Sequence, residues 1–324
     1  MDRFARTILD WYALYGRDLP WRHSRDPYPV WLSEIILQQT RVAQGTAYWQ
    51  RFLERFPDVE SLAGASEDEV LRLWEGLGYY SRARNLHAAA RQIAALGHFP
   101  DTLEGIRALK GVGDYTAAAI GSICFGLPAA VLDGNVYRVL ARHFGIATPV
   151  GTTQAQKEFR ALAQALLPEE DPAAYNQGMM DFGALQCTPQ NPDCLHCPLQ
   201  DSCHAFRHGR TALLPVKKAP TAVQERRLNW TYLRVDSYTA IRRRGAGDIW
   251  QGLWEPFDGE VPAGAKQIAS GVRHQLTHRR LIADFYLAEL PTRPALPEGY
   301  IWIKETELSQ YAKPRLFELL LERI

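Results

Sequence analysis

Four thiols fall within seventeen residues of this chain, Cys187, Cys194, Cys197 and Cys203, in a C-x6-C-x2-C-x5-C run. Thiols packed this densely into one segment suit a metal ion or a cluster in a reducing compartment. Pro189, Pro192 and Pro198 make the segment an irregular loop that wraps around something. Zinc favours paired C-x2-C knuckles, and only Cys194 and Cys197 have that spacing. Four thiolates also hold iron–sulfur clusters, with more varied spacing. Spacing alone leaves cluster and zinc balanced, with two disulfides as the third option. The fifth cysteine, Cys124, stands alone in an apolar stretch and reads as a small core residue.

A second constellation is Lys110-Gly111-Val112-Gly113-Asp114-Tyr115, a glycine-flanked turn between two helical patterns. Gly111 and Gly113 allow close backbone approach, and the amides opening the next helix favour a phosphate oxygen. That is a sequence-independent grip on a nucleic-acid backbone; the plain alternative is a helix–helix turn. Twenty residues after Gly113, Asp133 opens another helical pattern, where Asp is also a leading N-cap residue.

The elements that must position these groups are mostly helical up to about residue 205. A long helical pattern runs from Trp31 to Phe56, ended by Pro57, and Ser66-Glu67-Asp68-Glu69 marks a helix start with acids in its first turn. Further helical patterns occupy 81–96, 101–110, 114–125, 134–144 and 154–167. Tyr115 to Leu132 carries no charge and approaches the ~20 residues that span a bilayer. Its glycines, Pro128 and the flanking Asp114 and Asp133 instead predict a buried helix and a turn. Residues 1–15 carry Asp2, Arg3, Arg6 and Asp10 and lack the apolar core of a signal peptide, so the expectation is a soluble cytoplasmic protein.

The 324 residues carry a net charge of only +1, so any nucleic-acid surface must arise from local clustering. Between Arg207 and Arg244 there are ten Lys or Arg against two acids, a local charge of +8. From Trp230 the pattern turns strand-like (Tyr232, Val235, Tyr238, Ile241), with another strand over 281–290 and a helix over 305–321. The length suits about two domains.

In consistent order over residues 18–205, these motifs resemble the endonuclease III/MutY superfamily of DNA glycosylases. The MutY-type adenine DNA glycosylases are matched most specifically, by Leu19-Pro20-Trp21, by Val30 to Thr40 (VWLSEIILQQT), by Leu77 to Leu86 (LGYYSRARNL) and by Leu132 to Val136 (LDGNV). The resemblance implies a mainly α catalytic region followed by an α/β Nudix (MutT)-like domain. The implied division is a six-helix barrel with a helix-hairpin-helix over 24–132, a cluster domain from 1–23 and 133–210, a linker over 211–229 and a MutT-like domain over 230–324. It also implies a [4Fe–4S] cluster on the four cysteines, shaping the Leu195–His196 loop and placing Arg207 and Arg210 near DNA. Base excision is a hydrolysis and needs no net redox step.

The implied activity is monofunctional removal of adenine mispaired with 8-oxoguanine or guanine in double-stranded DNA, by a monomer associated with the nucleoid. Adenine leaves readily only once a ring nitrogen is protonated, so the site needs an acid protonated near neutral pH. Glu34 matches that role, near the start of an apolar helix between Trp31, Ile35 and Leu37, where burial raises its pKa. A second carboxylate, Asp133, stays ionised to stabilise or trap the cationic sugar, as in glycoside hydrolysis. Tyr115 stands where bifunctional relatives carry a Schiff-base lysine, which argues against the alternative, an endonuclease III-like glycosylase/lyase for oxidised pyrimidines. Tyr115 and Asn135 line the pocket, and Arg22 and Gln177 reach the flipped adenine.

Gln39 and Tyr79 match residues that probe or wedge the strand opposite the extruded base. Arg82, Arg84 and Arg91 form an expected phosphate face. The C-terminal domain lacks an acid-rich Nudix box, so no pyrophosphohydrolysis is expected. Three departures stand out. The family's lesion-reading Phe-Ser-His triplet is Leu276-Thr277-His278, with Thr277 and His278 as expected lesion contacts. Lys110 replaces a frequent proline, and Asp114 repels a nearby phosphate unless it points away.

Overall fold

The computed structural model describes residues 1–218, 223–276 and 278–324, so Thr277 lies outside the described residues. Its helices are α1 (Arg3–Tyr15), α2 (Pro27–Ile36), α3 (Val42–Arg55), α4 (Val59–Gly64), α5 (Glu67–Leu73), α6 (Ser81–Leu96), α7 (Leu103–Ala108), α8 (Asp114–Phe125), α9 (Gly134–Phe144), α10 (Thr153–Leu166), α11 (Pro172–Asp181), α12 (His204–Arg207) and α13 (Arg315–Leu321). They fall into two compact units. One comprises Met1–Leu53 with Ala89–Ala219, the other Glu54–Ala88 with Pro220–Ile324.

The first unit is helical. Its core joins Phe4, Ile8 and Trp11 of α1 to Tyr175 and Met179 of α11 and to Val136, Val139 and Leu140 of α9. The expected helix over 31–56 is two helices. Asp26 caps α2 and Pro27 fills its first position, where a missing N–H costs nothing. The chain then breaks after Ile36, with Gln39 at φ +57. No Gly or Pro lies between Leu37 and Arg41 to announce the break. A tertiary contact holds the broken segment, the Gln38 amide donating to the Thr116 hydroxyl of α8 at 3.3 Å. The charge-free stretch from Tyr115 yields only the twelve-residue α8, closed by Gly126, and among the described residues no helix is long and apolar enough to cross a membrane.

The second unit is built on one mixed sheet of β1 (Gln224–Val235), β2 (Tyr238–Arg243), β3 (Trp254–Glu255), β4 (Phe257–Asp258), β5 (Lys266–Gln275), β6 (Arg279–Glu289) and β7 (Tyr300–Lys304). The order is β3-β2-β1-β6-β5, with β4 added on β1 and β7 on β2. β1 and β6 run parallel in register from Gln224/Arg279 to Arg234/Glu289. β1 therefore reaches back into the stretch read as a linker: its polar first half is held by backbone pairing rather than by apolar burial. Trp230, Phe285, Leu316, Phe317 and Leu320 bury α13 on the sheet. The helix expected over 305–321 is a 3-10 turn (Glu305–Gln310) and α13, parted by Pro314.

Residues 54–88, read from sequence as part of the helical barrel, cluster with this unit. Tyr80 donates to the Lys313 carbonyl at 3.3 Å, the Lys313 N–H donates to Glu75 at 3.0 Å, and Arg243 pairs with Glu67 and Asp68, each at 3.0 Å.

Candidate active site

In the first unit Glu34 and Asp133 line one cavity of about 630 Å³, within the range of small-molecule sites. Tyr115, Asn135, Arg22, Gln177, Gln39 and Gly113 line it too. The two acids occupy opposite helix polarities. Glu34 lies in the last turn of α2, not near its start as expected, because α2 ends at Ile36. Carbonyl ends of a helix disfavour an anion. Asp133 is the N-cap of α9, where the exposed amides favour one.

Local bonding reinforces the contrast. Burial pushes Glu34 up to about 7, against a hydrogen bond with Tyr115 and the field of Arg22, while the neighbouring Asp133 adds to the rise. Burial raises Asp133 as well, but its carboxylate accepts from the N–H groups of Asn135 (2.9 Å) and Val136 (2.8 Å) and from the Asn135 side-chain amide (2.9 Å). Hydrogen bonds to the charged form hold a carboxylate ionised. When the pair carries one proton, Glu34 is the group placed to keep it. The Tyr115 hydroxyl lies 3.2 Å from the Met180 sulfur and within hydrogen-bonding reach of Glu34, and burial and both acids hold its pKa well above the ordinary value, so it stays neutral.

The back of the cavity is tied to the cysteine loop through α9. The Arg138 guanidinium donates to the Asn135 side-chain oxygen (2.8 Å), the Gly183 carbonyl (2.5 Å) and the Cys187 carbonyl (2.7 Å). One turn on, buried Arg142 donates to the carbonyls of Thr211, Leu214, Thr188 and Pro189 and to the Cys187 sulfur at 3.4 Å. Cys187, Cys194, Cys197 and Cys203 surround one small cavity together with Arg142. All four are free thiols. Among the described residues no three His, Cys, Asp or Glu side chains converge on a single metal ion. A ring of four thiols around a shared space, with a fixed cation against one sulfur, has the donor set of a four-thiolate cluster.

The hairpin departures have local explanations. The Lys110 N–H donates to the Gln92 side chain at 2.7 Å, a bond proline cannot make. Asp114 is neutralised by Arg107 and Arg160, each at 2.7 Å, so it carries no unpaired charge toward a phosphate. Gly111 adopts φ +77 in the turn, and both glycines are exposed, with open space where a Cβ on Gly113 would stand. Gly111 is outside the cavity that Gly113 borders.

Tyr79 and His278 belong to the second unit, where they line a separate cavity of about 500 Å³ with Tyr80, Trp250, His274 and Leu276. Tyr79 is 49% exposed at φ +47, a conformation a bulky residue holds only when its surroundings enforce it. Arg82 is part of that enforcement, not of a phosphate face. It is buried with its guanidinium 5.1 Å from the Trp74 ring centroid, and it donates to the carbonyls of Leu77 and Gly78. Arg84 is likewise turned inward, donating to the Gln251 carbonyl. Arg91 is exposed.

Arg17 and Met180 in the active-site cavity, Asp181 bound to its arginines, and Arg138 and Arg142 behind it were missed in the sequence. The one signal available was the i, i+4 spacing of the two α9 arginines along the apolar face of that helix.

Residues 32–167 match the HhH-GPD superfamily of base excision DNA repair proteins, 187–203 the iron–sulfur binding domain of endonuclease III, and 229–323 the NUDIX domain. Fold and site together thus define a helix-hairpin-helix DNA glycosylase that carries an iron–sulfur segment. A solved thermostable thymine-DNA glycosylase is 31% identical with a TM-score of 0.58, covering 63% of this chain and 95% of that one. Two curated adenine DNA glycosylases also match. The mouse protein is 41% identical over 70% of this chain but only 46% of its own length. The protein from Buchnera aphidicola of Schizaphis graminum is 35% identical over 78% of this chain and 73% of its own. The chain belongs to the adenine DNA glycosylase family.

Proposed function

We propose that this chain is a monofunctional glycosylase that removes adenine mispaired with 8-oxoguanine, or with guanine, in double-stranded DNA. The observation that carries the reading is one cavity holding a carboxyl at a helix C-terminus and a carboxylate at a helix N-terminus, so that burial and dipole assign the proton to Glu34. Glu34 passes that proton to a ring nitrogen of the extruded adenine, and the sugar–base bond breaks with its electron pair leaving on the neutral base. Asp133 faces the cationic sugar that remains, held in place by Asn135. Water then adds to the sugar, and Glu34 takes up the proton it releases. Tyr115 contributes a neutral hydroxyl and no amine, so no imine forms with the sugar.

Cys187, Cys194, Cys197 and Cys203 would hold a [4Fe–4S] cluster, which when bound supplies a rigid anchor for the loop beside Arg138 and Arg142. The exposed hairpin glycines suit a backbone phosphate. In the second unit the aromatic cavity behind Tyr79 suits a planar lesion base, with His278 as a contact. The functional division we favour keeps the barrel over 24–132, the cluster region over 1–23 and 133–210, the linker over 211–229 and a lesion-reading domain over 230–324. The protein acts as a monomer on chromosomal DNA in the cytoplasm.

The test is a single-turnover cleavage assay on duplexes with 8-oxoguanine, guanine or cytosine opposite adenine. The expected order of rates is 8-oxoguanine, then guanine, then cytosine. Absence of adenine release from all three removes the reading.

A further inference from the structure

One buried carboxylate, bound to two arginines of the active-site cavity, has no part in the chemistry above. Asp181, the last residue of α11, is fully buried. It accepts from the Arg17 N–H (2.8 Å) and Nε (2.9 Å), and from both terminal nitrogens of Arg22 (2.7 and 2.9 Å). Arg17 and Arg22 both line the cavity that holds Glu34. Arg22 is further fixed by donating to the Arg17 carbonyl at 3.0 Å and by its place 5.7 Å over the Tyr12 ring. Two guanidinium groups therefore share a cavity with the general acid, and one buried carboxylate engages both.

That arrangement has a consequence for Glu34. A guanidinium free to move in a half-enclosed cavity pairs with the nearest carboxylate, and Arg matches carboxylates bidentately. Arg22 shares the cavity with Glu34 and Asp133, and Asp133 is already engaged by Asn135 and Val136, which leaves Glu34 as the partner of an Arg22 without Asp181. We propose that Asp181 is a positioning residue that holds Arg22, and with it Arg17, off the Glu34 carboxyl, so that Glu34 remains available as an acid. The proposal rests on the glycosylase reading of the cavity. The charged and titratable groups facing Glu34 are Arg22 from the 3-10 turn Pro20–Arg22, Tyr115 and the Cys124 thiol from α8, and Asp133 from the start of α9.

The test is a double-mutant cycle of Asp181→Asn and Arg22→Gln in the full chain, read in two ways. The first is the pH dependence of single-turnover adenine release. The second is the titration midpoint of Glu34 by carboxyl 13C NMR, with Glu34→Gln as the assignment control. Asp181→Asn should move both the alkaline limb and the NMR midpoint to lower pH by about one unit, roughly a tenfold loss of acid-form enzyme above the midpoint. Arg22→Gln should move both upward. Adding Arg22→Gln to Asp181→Asn should abolish the downward shift, a rescue that a purely structural Asp181 does not predict. An unmoved midpoint in Asp181→Asn, or a double variant shifted as far down as the single one, overturns the proposal. Should Asp181→Asn fail to fold, an unmoved midpoint in Arg22→Gln overturns it equally. Expected NMR shifts in a protein that releases no adenine would sink the glycosylase reading while leaving the positioning role standing.

Discussion

The Glu34 proton is the quantity on which the chemistry turns, and it can be followed against pH. An ordinary glutamate has a pKa of 4.5, and burial lifts this one to about 7. At pH 7 an ordinary side chain is protonated in only about 0.3% of molecules and Glu34 in about half, a gain of roughly 150-fold in usable acid. The rate of adenine release should therefore be flat below about pH 6 and fall tenfold per unit above about pH 8. Glu34→Gln should cost on the order of a hundredfold or more below about pH 7, the usual weight of a general acid, with the gap to wild type narrowing as pH rises, while binding of the mispaired duplex is retained. The same shift leaves a mark on stability. Folded Glu34 binds its proton more tightly than the unfolded side chain, so stability is lost as pH rises from about 4.5 to 7. Glu34→Gln should then be more stable than the wild type at pH 8, by about 3 kcal/mol at most, and equal to it near pH 4. Single-turnover kinetics across pH 5–9 and thermal melts at the two ends measure both. A rate that is level from pH 6 to pH 9 would refute the assignment, as would a Glu34→Gln variant with undiminished rate.

Three further outcomes follow from the geometry. Borohydride added during turnover should trap no protein–DNA adduct in the wild type, because Tyr115 has no amine; a strong adduct would favour the lyase alternative. Arg142→Leu leaves four backbone carbonyls around the cysteine loop, those of Thr188, Pro189, Thr211 and Leu214, without this donor. It should destabilise the fold by about 3 kcal/mol or more and lower bound iron, read by thermal melts and iron content; full iron with unchanged melting would contradict the role given to Arg142. Gly145 closes α9 at φ +74, and a Cβ there would stand 2.5 Å from the His204 ring. Gly145→Ala should cost about 1–3 kcal/mol by strain and collision, against near neutrality at the exposed Gly113, where there is room for a Cβ.

The thiol quartet and the glycine turn were legible in the sequence because each is a local signature, a residue type at a fixed spacing, whereas the acid pair was legible only through the resemblance carried by Val30 to Thr40 and Leu132 to Val136. The same locality made α8, α9 and α10 readable to within a residue or so: Asp133 and Thr152 cap α9 and α10 over an apolar stripe, and α8 is an apolar run between Gly113 and Gly126. What sequence spacing misplaced was Glu34, assigned to the start of a long helix. No Gly or Pro marks the break after Ile36, and the contact that holds the broken segment, Gln38 to Thr116, joins residues 78 positions apart. That break puts Glu34 at a helix C-terminus, where its proton is held by the polarity of α2 as well as by burial. Arg82 went astray for a related reason. An arginine without nearby acids in the sequence looks free for phosphate, yet the ring of Trp74 and the carbonyls of the Tyr79 turn claim it in the fold.

The sequence by itself thus determined which side chains can donate, accept or ligate, and where most helices begin. Tertiary structure alone decided their electrostatic state. Whether a carboxyl keeps a proton depends on the dielectric, the helix polarity and the cations around it, and those are supplied by Arg22, Tyr115 and Asp133 from distant parts of the chain. Asp181 shows the same limit: nothing near it in sequence announces two arginines, because its partners stand more than 150 residues away.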